Sequence, residues 1–316
     1  MTQVEVSHGT WGEWPSVQLA TSAVTMEVVA EVGARVVSLR DLARDREWLL
    51  QNTPPSEEEG MAWSAEDVVF GGRESFGWDE CLPTVAPCPD ALDPSAAPLR
   101  DHGDQWGRGA YLAVDESAGA VTHTWSVPRW PYRLSRRLSF ADERTVLAEY
   151  ELRSLGDRPQ PLLWSQHPVF RLEPACRIEM PGVAEVVRTS QSGIDLPVRA
   201  GWPEARLNDG ALTDLSRVHT GLGWSAKLYA QAPAPVSAVA PDGARLEIDW
   251  ERGFAPVLGI WLSYGGWPPG GPPCEHVALE PTTSAHDDLA SAQADGQARL
   301  LEAGARLAWW VRVRLS

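Results

Sequence analysis

The feature that most limits what this chain can fold into is a side-chain period of two that recurs along its 316 residues, with almost no helical period beside it. In the last such run, 306–315, Leu307, Trp309, Val311, Val313 and Leu315 fall on one face, and Arg306, Arg312 and Arg314 fall on the other. The run 145–152 repeats the pattern, with Val146, Ala148, Tyr150 and Leu152 facing one way and Glu149 and Glu151 the other. Residues 245–250 alternate as cleanly. Runs rich in β-branched residues at 24–29, 34–39, 46–50, 121–127, 162–170, 226–230 and 276–283 read as further strands, with two more between 176 and 189. Residues 257–262 are nearly continuous apolar, as in a strand buried on both faces. Only 212–218 and 287–296 read as short helices; 51–60, 85–105 and 265–273 read as loops. Many strands with no linker, no internal repeat and no glycine-rich phosphate loop predict an all-β fold. The expectation is one large antiparallel β-sandwich, with 1–316 as a single domain.

Composition narrows the partners. Hydrophobic residues make up 43%, ample for a large core, and the formal net charge is −16. Such a field repels phosphate backbones and anionic lipid heads, so neither nucleic acid nor a membrane surface is an expected partner. No run reaches the roughly 18 apolar residues that a spanning helix needs, and the first residues lack the basic and apolar regions of a secretory signal. Cys81, Cys88, Cys176 and Cys274 form no CxxC pair, which gives no support to a zinc or thioredoxin-type motif and suits reduced thiols in the cytoplasm. Sixteen tryptophans against five tyrosines and five phenylalanines are unusual, because indole serves both as core and as a flat surface for the C–H face of a sugar.

Four places carry residues suited to chemistry. The stretch Phe70-Gly71-Gly72-Arg73-Glu74-Ser75-Phe76-Gly77-Trp78-Asp79-Glu80-Cys81-Leu82-Pro83-Thr84 sets an arginine, three carboxylates and aromatics among three glycines and a proline. That mixture suits the lip of a pocket for a polar ring, or an ordinary surface turn. His102, followed by Gly103 in a loop with Asp101, Asp104 and Trp106, reads as a surface histidine or as a functional one. His167 ends a strand where Pro168 removes a backbone donor, which leaves its side chain either hydrogen-bonded locally or available for chemistry. Glu280 follows an apolar strand and precedes Pro281; burial there would raise its pKa and make it a usable base, and a plain strand-end glutamate is the alternative. Asp249 sits on the polar face of its strand and reads as solvated.

The order of these features resembles the aldose 1-epimerase (galactose mutarotase) family and its relatives that act on hexoses or hexose phosphates, over most of the chain. His102-Gly103 followed by Trp106-Gly107 is similar to the family's His-Gly loop, and Ser165-Gln166-His167-Pro168-Val169-Phe170 stands where the family has its Asn-His-x-Tyr-Phe-type strand. Leu279-Glu280-Pro281 matches the late strand that carries the family's glutamate, and 76–84 resembles the Gly-Trp-Asp-Glu segment of a divergent branch. Gln166 replaces the family's Asn, and Pro168-Val169-Phe170 replaces the Tyr-Phe pair after the histidine.

The resemblance implies a β-supersandwich with its site in a groove across one face. It implies Glu280 as base toward the anomeric hydroxyl, His167 as acid toward the ring oxygen, and His102 holding or polarising the same region. The substrate-holding aspartate is Asp79 or Asp249, with Asp79 in the better loop context, and the arginine is Arg73. Trp78, Trp106 and Trp261 are the tryptophans expected against the sugar. Such an isomerase takes a small-molecule carbohydrate, free or modified, as a monomer or homodimer, and needs no metal, nucleotide or redox cofactor. Two other readings stand beside it. One is a non-catalytic sugar-binding or regulatory protein on the same scaffold. The other is a glycoside hydrolase or lyase pairing Glu280 with Asp79 or Glu80.

Overall fold

The structure, a computed structural model, describes residues 2–65, 67–126 and 130–316; Val127, expected in the strand at 121–127, lies outside them. Two large antiparallel sheets carry the fold. The longer, of twelve strands, runs in the order Glu5–Trp11, Trp14–Ala20, Val24–Val29, Arg35–Asp41, Trp78–Cys81, Ser165–Phe170, Glu275–Thr282, Val257–Tyr264, Trp224–Ala230, Glu185–Ser192, Arg199–Gly201, with Arg46–Glu47 paired beside Arg35–Asp41. The shorter, of eight, runs Arg177–Glu179, Val236–Val239, Arg245–Trp250, Arg306–Leu315, Thr145–Ser154, Tyr132–Asp142, Ala120–Ser126, Tyr111–Asp115. The fold is the expected all-β, antiparallel sandwich.

Alternation along each strand builds the core between the sheets. Val36, Trp78, Phe170, Leu279 and Ile260 of the longer sheet meet Leu138, Val146, Tyr150, Trp250 and Val311 of the shorter in one buried cluster. Each such side chain contributes about 1.5–3 kcal/mol of transfer free energy. The next residue along a strand points out of the sandwich, and in the middle of the longer sheet those outward residues are also covered by loops. The strand Ser165–Phe170 therefore reads as buried throughout.

Three local readings change. Residues 212–218 form no helix; Leu212–Asp214 pairs with Glu204–Arg206, and the Asp214 carboxylate accepts from the Ser216 backbone and hydroxyl. The loop expected at 51–60 contains the helix Glu57–Ala62, capped by the Ser56 hydroxyl accepting from Glu59 N, with three glutamates in its first turn. The run 162–170 is two strands, because Gln160–Leu162 pairs with Arg299–Leu301 before the chain enters the longer sheet at Ser165. That second strand continues through Pro168. Toward Trp78–Cys81 its ladder is continuous from Ser165 to Pro168, but toward Glu275–Thr282 it pairs at Ser165 and resumes only at Val169. The interruption expected at the proline is thus one-sided, and it opens the sheet between His167 and Glu280. The helix expected at 287–296 is present as Leu289–Ala294, N-capped by Asp288.

Candidate active site

Register puts the polar residues of five neighbouring strands on one outward face. Asp79 lies opposite His167, Glu280 opposite Gly259, His276 opposite Ser263, and Trp261 opposite Lys227. Loops close over this face. Phe70, Ser75, Asp101, His102, His167, Lys227, Trp261, Trp267, His276, Glu280 and Asp287 are among the residues lining a cavity of about 360 Å³, a size that suits a small ligand. A larger cavity of about 740 Å³ lies beyond Tyr229 and gathers no imidazole.

The two histidines are each held by an aspartate. His167 Nδ1 donates to Asp79 Oδ1 at 2.8 Å, and the other Asp79 oxygen accepts from Arg35, which also donates to the Glu74 and Phe76 carbonyls. His102 Nδ1 donates to Asp101 Oδ1 at 2.7 Å, while Asp101 Oδ2 accepts from the Phe70 backbone. A carboxylate can only accept from these nitrogens, so both neutral rings keep the proton on Nδ1 and leave Nε2 as the basic atom. The ring centroids lie 5.1 Å apart. Phe70 stacks on His102 at 3.8 Å and meets His167 edge-on at 5.4 Å, so one aromatic face orients both imidazoles.

The backbone that delivers His102 is constrained. Its φ is 57°, in the left-handed region, and Gly103 follows at 73°. A Cβ on Gly103 would lie 2.3 Å from the Leu82 carbonyl oxygen, so the glycine permits this loop to pack against the end of the strand carrying Asp79. Backbone bonds from His102 to Val85 and from Asp104 to Leu82 complete the attachment.

Charges in the cavity are paired. Glu280, 1% exposed, accepts from the Lys227 ammonium through Oε2, and its Oε1 has no hydrogen-bond partner. Burial alone would push this carboxyl up, but Lys227 and then His167 outweigh burial and hold it below the ordinary glutamate value. The sequence expectation of a raised pKa is therefore corrected, because it weighs burial without a cation. Asp79 is lowered in the same way, burial being outweighed by Arg35 and then His167. His276 is pushed down to about 3 by burial, with His167 adding to it. It is a neutral ring whose Nε2 accepts from Trp261 Nε1 at 3.1 Å and lies 3.2 Å from Ser75 Oγ. Among the described residues no three His, Cys, Asp or Glu side chains are grouped to hold a metal ion.

The expected site residues divide into two sets. His102, His167, Glu280 and Trp261 line the cavity. Asp79 lies beneath it, bonded to protein groups. Arg73 donates to Glu59, Asn52 and Thr53 and does not line the cavity; the arginine joined to the site is Arg35. Trp78 points into the inter-sheet core beside Arg136, because it precedes the outward Asp79 by one residue. Trp106 is fully buried behind Phe70, at 5.1 Å and edge-on, with its indole donating to the Asp101 carbonyl. Asp249, the other aspartate considered, pairs with Arg252 on the shorter sheet. Lys227, His276, Trp267 and Asp287 join the site without being singled out by the sequence pattern, and Phe70 and Asp101 enter it as neighbours of residues that are. A polar residue breaking an apolar strand is the available signal for Lys227, and a histidine four residues before Glu280 on the same face is the signal for His276.

No family model and no curated protein sequence matches the chain. Solved structures do. A galactose mutarotase-like protein from Lactobacillus casei is 16% identical, with 95% of this chain and 100% of that one covered and a TM-score of 0.63. A galactose mutarotase related enzyme from Lactobacillus acidophilus is 14% identical, covering 95% and 97%, at a TM-score of 0.63. A galactose mutarotase-like protein from Clostridium acetobutylicum is 11% identical over 100% of this chain and 98% of its own, at 0.64. The described residues include no helix long and apolar enough to cross a membrane. The chain has the galactose mutarotase-like fold, a β-supersandwich with a divergent sequence.

Proposed function

We propose that the chain is an aldose 1-epimerase-like isomerase that interconverts the α and β anomers of a hexose or hexose derivative, with residues 1–316 acting as one carbohydrate-active domain. The observation that carries the reading is the shared cavity of His102, His167 and Glu280, which come from three distant parts of the sequence. Glu280 Oε1, the unpartnered oxygen, takes the proton of the anomeric hydroxyl. His167 in its protonated form gives the Nε2 proton to the ring oxygen, Asp79 holding the opposite side of the imidazole. The C1–O5 bond breaks to an open-chain aldehyde, rotation about C1–C2 turns the other carbonyl face, and the two groups exchange roles on closure. His102, its ring centroid 5.1 Å from that of His167, polarises the same region, and Trp261 offers a surface to the sugar. All four cysteines are free thiols, which supports a cytoplasmic setting as part of this proposal.

The test is α/β exchange measured by NMR across free and phosphorylated aldoses. Exchange faster than the uncatalysed rate is expected, and Glu280→Gln should lower it on the order of 10²–10⁴-fold. No acceleration with any aldose would overturn the proposal.

The ion pair on Glu280 favours a second reading, a sugar-binding protein without catalysis. It predicts calorimetric binding that survives Glu280→Gln, with no exchange. The hydrolase reading loses its expected partners, since Glu80 turns to the core and Asp79 is engaged by Arg35 and His167.

A further inference from the structure

Lys227 is the only lysine in the sequence; the other twenty-six Lys or Arg positions are all arginine. Arginine serves even where a cation is fully buried, as Arg35 against Asp79 and Arg136 against Glu80. The single exception is a side chain 6% exposed, at the centre of the strand Trp224–Ala230, lining the candidate site and bonded to Glu280. A chain that uses guanidinium for every other cation and ammonium here is responding to a difference between the two groups.

That difference is geometric. A guanidinium is a planar fork that grips both oxygens of a carboxylate, whereas an ammonium is a point charge that holds one. Here Nζ reaches Oε2 only, and Oε1 has no partner. The room is also narrow. Nζ lies 5.5 Å from the centroid of the Tyr229 ring, and the space between Tyr229 and Glu280 exists because residue 259 is glycine. A Cβ there would come within 3.2 Å of Glu280 Oε2 and 3.3 Å of Tyr229 Cε1. The remaining wall is made of groups already engaged: Asp287 accepts from the Tyr229 hydroxyl at 2.7 Å and the Thr189 hydroxyl at 3.0 Å.

We propose that Lys227 is the positioning residue for Glu280: its ammonium holds Oε2 and leaves Oε1 free for the anomeric proton, a task arginine at this position does not perform. The inference rests on the anomerase reading. The groups facing this pair are Asp287 and the Cys81 thiol around Lys227, and His167 and His102 around Glu280. Of these, Lys227 is the largest influence holding the Glu280 carboxyl down against burial. Removing it leaves burial to push that carboxyl up, so the acid limb of the pH–rate profile moves to higher pH. Arginine keeps the limb low but occupies the second oxygen, so kcat falls without the pH shift.

The experiment uses the full chain as wild type, Lys227→Met, Lys227→Arg, and Lys227→Cys before and after alkylation with 2-bromoethylamine, which rebuilds an ammonium of nearly the same reach. The alkylated wild type is the control for the native cysteines, and thermal melts check folding. Exchange of the aldoses that the wild type turns over is followed against pH, and the Glu280 carboxyl is titrated by ¹³C NMR, assigned with Glu280→Gln. Lys227→Met should lose kcat on the order of 10²-fold and shift both the acid limb and the carboxyl titration upward. Lys227→Arg should lose kcat by at least about tenfold with the limb unmoved, and alkylated Lys227→Cys should recover most of the wild-type rate. Lys227→Arg at wild-type kcat, or no recovery on alkylation of a folded Lys227→Cys, overturns the proposal. If Lys227→Met does not fold, the arginine and alkylated variants decide it. A wild type inactive on every aldose defeats the anomerase reading alone; the Glu280 titration needs no turnover, and an unmoved carboxyl in folded Lys227→Met then overturns the role of Lys227.

Discussion

Asp79 and Glu80 are adjacent carboxylates in one strand, both fully buried and both paired with a buried arginine, yet they end in opposite states. Asp79 turns outward to the cavity, and its carboxyl is held below the ordinary range because Arg35 and then the imidazole of His167 outweigh burial. Glu80 turns inward between the sheets and accepts from Arg136, Tyr150 and Trp164. Burial nevertheless raises it to about 7, with the negative charge of Asp79 adding to the rise. Each carboxylate has one arginine, and the two shifts still run in opposite directions. The second partner decides: imidazoles that can carry charge on the site face, neutral donors and a like charge in the core. The outer face gathers titratable side chains around a cavity, and the inner one makes a polar tie between two sheets.

The largest expected effect breaks the outer arrangement. Asp79→Asn can present an amide N–H to His167 Nδ1 and so favours the other tautomer, with Nε2 protonated in the neutral ring. Exchange should fall on the order of 10²–10⁴-fold, and ¹⁵N shifts of His167 should report the tautomer change. Exchange at the wild-type rate with a changed tautomer would remove Asp79 from the mechanism. Stability carries the sign of a lowered carboxyl: the Asp79 contribution is present above the unfolded value near 3.8 and is lost as pH falls through the folded one.

Glu80 gives the opposite sign. Its folded value of about 7 exceeds the ordinary glutamate value of 4.5, so the folded state holds a proton that the unfolded state releases. Its contribution is fully present below pH 4.5 and is lost as pH rises through about 7. The loss across that window is on the order of 3 kcal/mol. Glu80→Gln should flatten this segment in urea unfolding series run at successive pH values, and should leave kcat per folded molecule within about threefold. A Glu80→Gln variant that keeps the wild-type slope, or one that loses activity while folded, would erase the division between the two faces.

How much of this is legible in the sequence follows from the same parity. The alternation at 145–152 and 306–315 reports burial directly, and the two strands form with the faces expected; which strands pair, Val146 with Val313 and Leu152 with Leu307, is not in the pattern. His102, His167 and Glu280 come from three distant parts of the chain and line one cavity. Trp78 departs from expectation because 70–84 reads as a lip; in the strand Trp78–Cys81, Trp78 and Asp79 must face opposite ways. Arg73 and Arg35 cannot be separated by local pattern, since which arginine meets Asp79 depends on two strands joining one sheet, with Arg35 and Asp79 lying 44 residues apart in the chain. Trp106 has a loop context typical of a rim residue, and its burial under Phe70 depends on a tertiary contact no spacing reports. The helix expected at 212–218 loses to strand pairing, as weak local propensity often does.

The smallest expected effect lies in the core beside Glu80. His123 is fully buried on the strand Ala120–Ser126, opposite Arg136 in register, and neither of its ring nitrogens has a hydrogen-bond partner. Burial, and then the Arg136 charge, push it well below the ordinary histidine value of 6.5, so the folded state keeps it neutral. A depressed histidine gives stability that rises with pH up to about 6.5, the reverse of Glu80 in the overlapping window. The two share Arg136, so the wild-type profile is a sum in which they partly cancel. His123→Leu exchanges an unsatisfied polar ring for an apolar side chain of similar size, and should stabilise by about 1–2 kcal/mol at neutral pH. It should also uncover the falling Glu80 segment, steepening the decline between pH 4.5 and 6.5. Urea unfolding of His123→Leu and of His123→Leu with Glu80→Gln separates the contributions. A His123→Leu variant less stable than wild type at neutral pH would mean that the imidazole, unpaired as it stands, is part of the tie between the sheets.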